Sequence, residues 1–235
     1  MTLPNFPQLD MFSAGINALY GVLVAGQPSH NRNYTLAGLV IMAFFGGIGG
    51  GVTRDVLLND IPGPFRDPYY LLTCFLMALL GLAIYRYAAT REERFRTRTM
   101  AFLKSFSLPW FAILGAHKAL EHGLGIWTAI VVGVIATNAG GVLIDLFSGV
   151  VPDIVKPSEQ LVTASVLAGA VYTLLWNFEK DKAFFPVTLI AVGVTFAFRV
   201  IAVRDHFPSI VPIAVSADGP ELASRAAVAG PASRR

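Results

Sequence analysis

The chain has 235 residues, of which 54% are hydrophobic and only 14% charged, and it carries a formal net charge of +3. A mean hydropathy of +0.60, with charged residues far below the roughly 25% usual in soluble domains, excludes an ordinary soluble enzyme and gives no support to nucleic-acid binding. The apolar residues come in continuous blocks near 20 long rather than in alternating stretches of about 10, so helical spans are expected and a transmembrane barrel is not.

The N-terminus, MTLPNFPQLD, puts no basic residues ahead of the first apolar run, so that run is read as a retained span rather than a cleaved signal peptide. Seven spans follow from the pattern: Leu9 to Ala25, Tyr34 to Leu58, Tyr69 to Tyr85, Ala101 to Leu120, Leu124 to Phe147, Leu161 to Phe178 and Ala183 to Val203. The fourth is the weakest, interrupted by Lys104, Pro109 and the His117-Lys118 pair. Beyond residue 207 the chain turns to Ala, Ser, Pro and Gly with scattered charges, which reads as a mobile cytoplasmic tail over 208–235. The single cysteine, Cys74, falls inside a span, so neither an intramolecular disulfide nor a cysteine metal cluster is expected.

Lys and Arg favour the cytoplasmic ends of spans. With the N-terminus outside, the inner side receives Arg32, Arg86, Arg91, Arg94, Arg96, Arg98, Lys156 and Arg204, while the outer loops mix Arg66, Lys118, Lys180 and Lys182 with Asp60, Asp67, Glu121, Glu179 and Asp181. The expected topology is N-out and C-in. Asn33-Tyr34-Thr35 fits a glycosylation sequon, but it falls on the cytoplasmic side and abuts a span.

The second span contains GGIGGGVTRD, Gly46 to Asp55, with five glycines in six residues. A phosphate-binding loop is rejected, because no Lys-Ser/Thr pair follows the glycines. Shifting the sequence by 90 residues places Gly50-Gly51-Val52 on Gly140-Gly141-Val142, Asp55 on Asp145 and Pro62 on Pro152; Leu71, Thr73 and Ala78 fall on Leu161, Thr163 and Ala168. The chain therefore divides into two related three-span units, about 9–88 and 101–178, and a seventh span. Because three is odd, the second unit must insert upside down, giving an all-α membrane protein of two inverted three-helix repeats plus a seventh helix. Two roles are open to the paired glycines. They can bend or interrupt spans two and five beside a water-filled path, or they can let helices pack closely, since Gly47 with Gly51 and Gly46 with Gly50 form GxxxG pairs.

GGIGGGVTRDVLLNDIP, its echo NAGGVLIDLFSGVVP and the intervening GAHKALEHG segment resemble the prokaryotic branch of the trimeric intracellular cation (TRIC) channel family over about the first 205 residues. The resemblance implies a seven-helix protomer, an hourglass pore in each protomer of a homotrimer, glycine-kinked pore helices and conduction of monovalent cations, chiefly potassium. Ile144 stands where bacterial members often show arginine, and the second glycine run is two residues rather than three.

On this reading Gly49, Gly50, Gly51, Gly140 and Gly141 form the kinks, with Thr137 and Asn138 as polar groups along the path. Arg54, Asp55 and Asp145 serve ion pairing, with Arg54 as a candidate donor to Asp145 if the two motifs meet. Lys118 resembles the basic residue that animal members place on the same helix, associated with the pore and with anionic lipid; it can equally snorkel to the headgroups. Asn17 is read as packing glue, and Asp10 and Arg199 as solvated or paired near the interfaces. His117, His122 and Glu121 spread around a helix and do not make a metal set. No nucleophile, base and orienting group come together, so catalysis is not expected. No cofactor is expected beyond permeating potassium or sodium ions and bound lipid; the partners are further copies of the chain and membrane lipid. The rival functions are a secondary transporter of a small zwitterion or organic ion, which uses the same inverted repeats, and a non-conducting scaffold.

Overall fold

The computed structural model describes residues 6–27, 30, 34–88, 93–155, 160–178 and 184–204. The tail, Arg32, Asn33, Arg91, Lys156, Glu179, Lys180, Asp181 and Lys182 lie outside the described residues, as do the side chains of Arg94, Arg96 and Arg98. Among the described residues the protein is all helical: α1 (Phe6–Ala25), α2 (Leu36–Leu57), the short α3 (Gly63–Arg66), α4 (Pro68–Ala88), α5 (Glu93–Glu121), α6 (Ile126–Phe147), a 3-10 turn (Asp153–Val155), α7 (Leu161–Phe178) and α8 (Phe184–Arg204).

Six of these helices, α2 and α4 to α8, contain a stretch long and apolar enough to cross a bilayer. The exception among the long helices, α1, carries Asp10, Ser13 and Asn17. It tolerates them because it is central: most of its residues are buried, and it packs on α2, α4 and α5. Protein rather than lipid surrounds these groups, and Asp10 and Asn17 find hydrogen-bond partners in it. By contrast α4 turns Leu72, Leu76 and Leu80 outward, as a helix at the bundle's apolar perimeter would.

The helices form two matching triplets. In one, α1 packs on α2 and α4; in the other, α5 packs on α6 and α7, and α8 lies against α5 and α7. The main seam between triplets is α2 against α6. The 90-residue relation is visible in individual bonds at the ends of α2 and α6. Asp60 N–H donates to Asp55 O at 2.8 Å and Val150 N–H to Asp145 O at 2.9 Å. Each is the six-to-one bond of a helix C-cap that requires a left-handed residue next to it, and Asn59 (φ 53°) and Gly149 (φ 68°) supply it. Asn and Gly are the residues that enter this conformation at least cost.

Two local expectations change. α5 begins near Glu93 rather than Ala101 and runs unbroken through Pro109, so the span that looked weakest is part of the longest helix. Its polar interruptions find protein partners: Lys104 meets Asp153, His117 meets Tyr172 and Lys118 meets Asp55. Equally, α2 and α6 run as uninterrupted α-helices across their glycines. The glycines do not break the hydrogen-bond ladder, and at the α2–α6 crossing they allow close approach. A Cβ on Gly50 would sit 2.1 Å from Ala136 O, and one on Gly140 would sit 2.8 Å from Gly46 O. Positions 46 and 50 correspond to 136 and 140 under the 90-residue shift, so the crossing is reciprocal. Gly46 and Gly47 also face α1, where their Cβ atoms would meet Asn17 O at 2.6 Å and Ala14 O at 2.8 Å.

Candidate functional site: two cavities and the ion pairs that close them

The α2–α6 crossing separates two cavities that share no lining residue. The larger, about 490 Å³, opens beside the C-terminal end of α2 and is lined by Asp10, Arg54, Asp55, Asp60, Arg66, Asp67, Tyr70, Lys118, Glu121 and His122, among others. The smaller, about 70 Å³, lies beside the C-terminal end of α6. Thr137, Asn138, Gly50, Gly140 and Gly141 line this second cavity with Asn17, Lys104, Asp145 and Asp153. Gly49 and Gly51 line neither: a Cβ on Gly49 would meet Leu143 and Gly140, and Gly51 lies buried near Arg54.

At the larger cavity, Arg54 is the organising charge. Its side chain is 1% exposed, and burial of a guanidinium at that depth requires full pairing. Asp10 on α1 supplies a two-point clamp, with Nη1 donating to Oδ1 at 3.0 Å and Nη2 to Oδ2 at 2.9 Å. Nε donates to Asp55 Oδ1 at 2.6 Å, and the guanidinium stands 5.7 Å from the Phe6 ring centroid. Tyr70 O–H donates to Asp10 Oδ2 at 3.1 Å. Lys118, reaching over from α5, donates to Asp55 Oδ1 and Asp60 Oδ2, each at 2.8 Å. The Lys118 ammonium holds the Asp60 carboxyl below the usual carboxylate range, with Arg66 adding to the effect. Asp60 is therefore anionic at neutral pH. Lys118, 13% exposed, is an ion-pair bridge between the triplets on the wall of this cavity.

The smaller cavity repeats part of the arrangement. Asp55 Oδ2 accepts from Gly63 N–H, and Asp145 Oδ2 accepts from Asp153 N–H, both at 3.0 Å. Residues 63 and 153 are again 90 apart. The donor to Asp145 is not Arg54. It is His30, just beyond α1, with Nε2 3.1 Å from Asp145 Oδ1. Arg54 is held at the other cavity by Asp10 and Asp55, at the opposite side of the glycine crossing. Thr137 Oγ1 donates to Gly133 O at 2.8 Å and Asn138 Nδ2 to Val134 O at 2.8 Å, so both hydrogen-bond to the preceding turn of their own helix. Asn17 does likewise, donating to Ser13 O at 3.0 Å. Lys104 reaches Asp153 Oδ2 at 3.3 Å.

Comparison with known proteins decides the family. A family profile described as "Glycine transporter" matches residues 8–86 and 101–177, the two triplets separately. The chain belongs to this family. Its relatives include a UPF0126 membrane protein of Deinococcus radiodurans, 32% identical over 74% of this chain and 79% of that one, and the UPF0126 inner membrane protein YadS of Escherichia coli, 26% identical over 84% and 91%. Among solved structures, the TRIC trimeric intracellular cation channel orthologue from Rhodobacter sphaeroides superposes with a TM-score of 0.75 at 28% identity, covering 87% of this chain and all of that one. A prokaryotic TRIC channel crystallised in 0.5 M KCl superposes with a TM-score of 0.74 at 20% identity, covering 86% and 97%. The fold is that of the TRIC channels, in agreement with the resemblance carried by the glycine motifs, and the protein is a membrane protein.

Within this family member, sequence reasoning missed His30 and gave Asp10 only a generic role. Both left a signal. A carboxylate at position 10, one turn into an apolar helix, demands a cation, and the 90-residue shift carries Lys118 to position 28, two residues short of His30. Arg199, read as solvated or paired near an interface, is fully buried in α8 and so is not solvated.

Proposed function

We propose that the chain is a passive monovalent-cation channel, with potassium the main permeant ion. The observation that carries the reading is the charge balance of the larger cavity. Among the described residues Asp10, Asp55, Asp60, Asp67 and Glu121 line it against Arg54, Arg66 and Lys118, an excess of carboxylates. Each of those three cations is already held: Arg54 by Asp10 and Asp55, Lys118 by Asp55 and Asp60, and Arg66 by Asp60. A vestibule of this kind concentrates cations and repels anions.

In mechanism, ions enter the larger cavity, pass the crossing of α2 and α6 near Gly50 and Gly140, and leave through the smaller cavity past Thr137 and Asn138. The two cavities and the tight crossing form an hourglass. The seven long helices cross the membrane as two inverted triplets plus α8, N-terminus outside and C-terminus inside. The reciprocal Gly50–Ala136 and Gly140–Gly46 approaches support a two-fold axis in the membrane plane. The protein works as a homotrimer in a prokaryotic plasma membrane, with membrane lipid around it; the trimeric Rhodobacter relative supports that assembly.

The family description favours a second reading, transport of glycine. A zwitterion needs a cation for its carboxylate as well as an anion for its ammonium, and Arg54, Arg66 and Lys118 are each committed to protein carboxylates. Proteoliposomes separate the two readings. Potassium efflux under a gradient, with no saturable glycine uptake, is the expected result. Saturable, gradient-coupled glycine uptake without potassium conductance would replace the channel by the transporter.

A further inference from the structure

The connections that follow α2 and α6 carry matching apolar residues that the bundle does not cover. Val56, Leu57, Ile61 and Phe65 are between 54% and 69% exposed, and the residues 90 positions on, Leu146, Phe147, Val151 and Val155, are between 59% and 70% exposed. Ile61 and Phe65 lie between the spans that end at Leu57 and begin at Pro68, and Val151 and Val155 between those that end at Phe147 and begin at Leu161. Half of these side chains therefore stand outside the apolar spans. An exposed apolar patch rimmed by polar residues marks a place of contact with protein or membrane, and here the patch occurs twice.

Both connections are fastened to the bundle in the same way. Asp55 Oδ2 accepts from Gly63 N–H and Asp145 Oδ2 from Asp153 N–H, each at 3.0 Å. The cap bonds from Asp60 N–H and Val150 N–H return to the backbone oxygens of the same aspartates at 2.8 and 2.9 Å. The backbone donors thus face protein, and the apolar side chains are left pointing away from it. Either a leaflet of the bilayer or a second copy of the chain can cover such a patch, and the polar neighbours favour the leaflet. Arg66, with its side chain 54% exposed, follows Phe65, and Asp153, 47% exposed, stands between Val151 and Val155. The core of a protein–protein contact is depleted in charge. At the headgroup–acyl boundary, by contrast, apolar side chains enter the acyl layer while adjacent charges stay among the headgroups.

We infer that the two connections are interfacial feet, seated at the headgroup–acyl boundary, one in each leaflet. The assignment to two leaflets rests on the inverted arrangement proposed above. Each foot is tied to the aspartate that ends α2 or α6, and those helices cross at Gly50 and Gly140, so the feet hold the ends of the crossing at depths that the bilayer sets.

Spin labels measure the depth directly. Phe65→Cys and Val155→Cys, both at exposed positions where a label disturbs no packing, are labelled with a nitroxide in the full chain and reconstituted in liposomes. The references are Leu72→Cys on the outward face of α4 and His122→Cys, exposed beyond α5; Cys74 is fully buried and is left in place. The readout is the ratio of nitroxide collisions with oxygen, which concentrates in the acyl layer, to collisions with a water-soluble nickel chelate. Both feet are expected to give ratios above that of His122 and below that of Leu72. A ratio equal to that of His122 at either foot puts it in water and overturns the proposal. Protection from both reagents, with spin–spin broadening that vanishes on dilution with unlabelled protein, is contact between copies and overturns it too. Ascorbate outside right-side-out vesicles should then reduce the label at Phe65 and spare that at Val155. The reverse pattern keeps one foot in each leaflet and rejects the N-out topology. Equal reduction of the two labels, with intermediate collision ratios, rejects the inverted arrangement and the two-leaflet assignment. No ion flow enters these readouts, so silence of the channel leaves them intact.

Discussion

Replacing Arg54 with isoleucine is expected to destabilise the protein by about 3–5 kcal/mol, the usual cost of removing one partner of a buried ion pair. The cost is concentrated on Asp10. Asp55 retains Lys118 and the Gly63 N–H, but Asp10, 4% exposed, keeps only the Tyr70 hydroxyl among its side-chain partners described above. The other triplet shows how to relieve the loss, because the 90-residue shift places Ile144 on Arg54 and Met100 on Asp10, and both are buried apolar residues. The double variant Asp10→Met, Arg54→Ile therefore puts at both positions the buried apolar residue that the other triplet carries there. It should recover most of the stability lost in Arg54→Ile. Thermal unfolding midpoints of the two single variants and the double, read as a cycle, check this. A double variant no more stable than Arg54→Ile would show that the clamp is not what fixes α1 to α2.

The second large effect separates glycines that look equivalent in sequence. Gly50→Ala places a methyl group 2.1 Å from Ala136 O, and the obstacle is helix backbone, so α2 and α6 must move apart. Overpacking of this kind costs typically 1–3 kcal/mol and at times more. Gly141→Ala meets nothing within 4 Å, so it should be neutral or stabilising by up to about 1 kcal/mol from helix propensity. Unfolding midpoints in the same detergent are the measurement. Equal losses at the two sites would contradict the close-packed crossing and return the glycines to a role in bending the helices.

These two cases also show what could be read in the sequence. The spans were legible because bilayer-length apolar blocks have sharp polar ends. α2, α4, α6, α7 and α8 lie within a few residues of their expected bounds. The duplication was legible because Gly50-Gly51, Asp55 and Pro62 recur at one spacing, and the same spacing later connects backbone bonds at Asp60 and Val150. What stayed hidden depends on which side chains meet across the bundle. The clamp on Arg54 comes from 44 residues earlier and the donor to Asp145 from 115 residues earlier, and the signals they leave, a lone carboxylate in α1 and Lys118 shifted to position 28, do not name the partner. The glycine run was ambiguous for a related reason: close packing and bending demand the same residue. Only the neighbour facing each Cβ position, Ala136 O for Gly50 and open space for Gly141, shows where close packing requires glycine.

The vestibule's charge balance and its fully engaged cations make cation conduction the central claim, and planar-bilayer recording tests it most directly. Purified protein, recorded with a potassium chloride gradient and then with sodium or glycine opposite potassium, should give unitary currents whose reversal potential lies near that of potassium. Silent bilayers, or currents reversing near the chloride potential, would contradict the account.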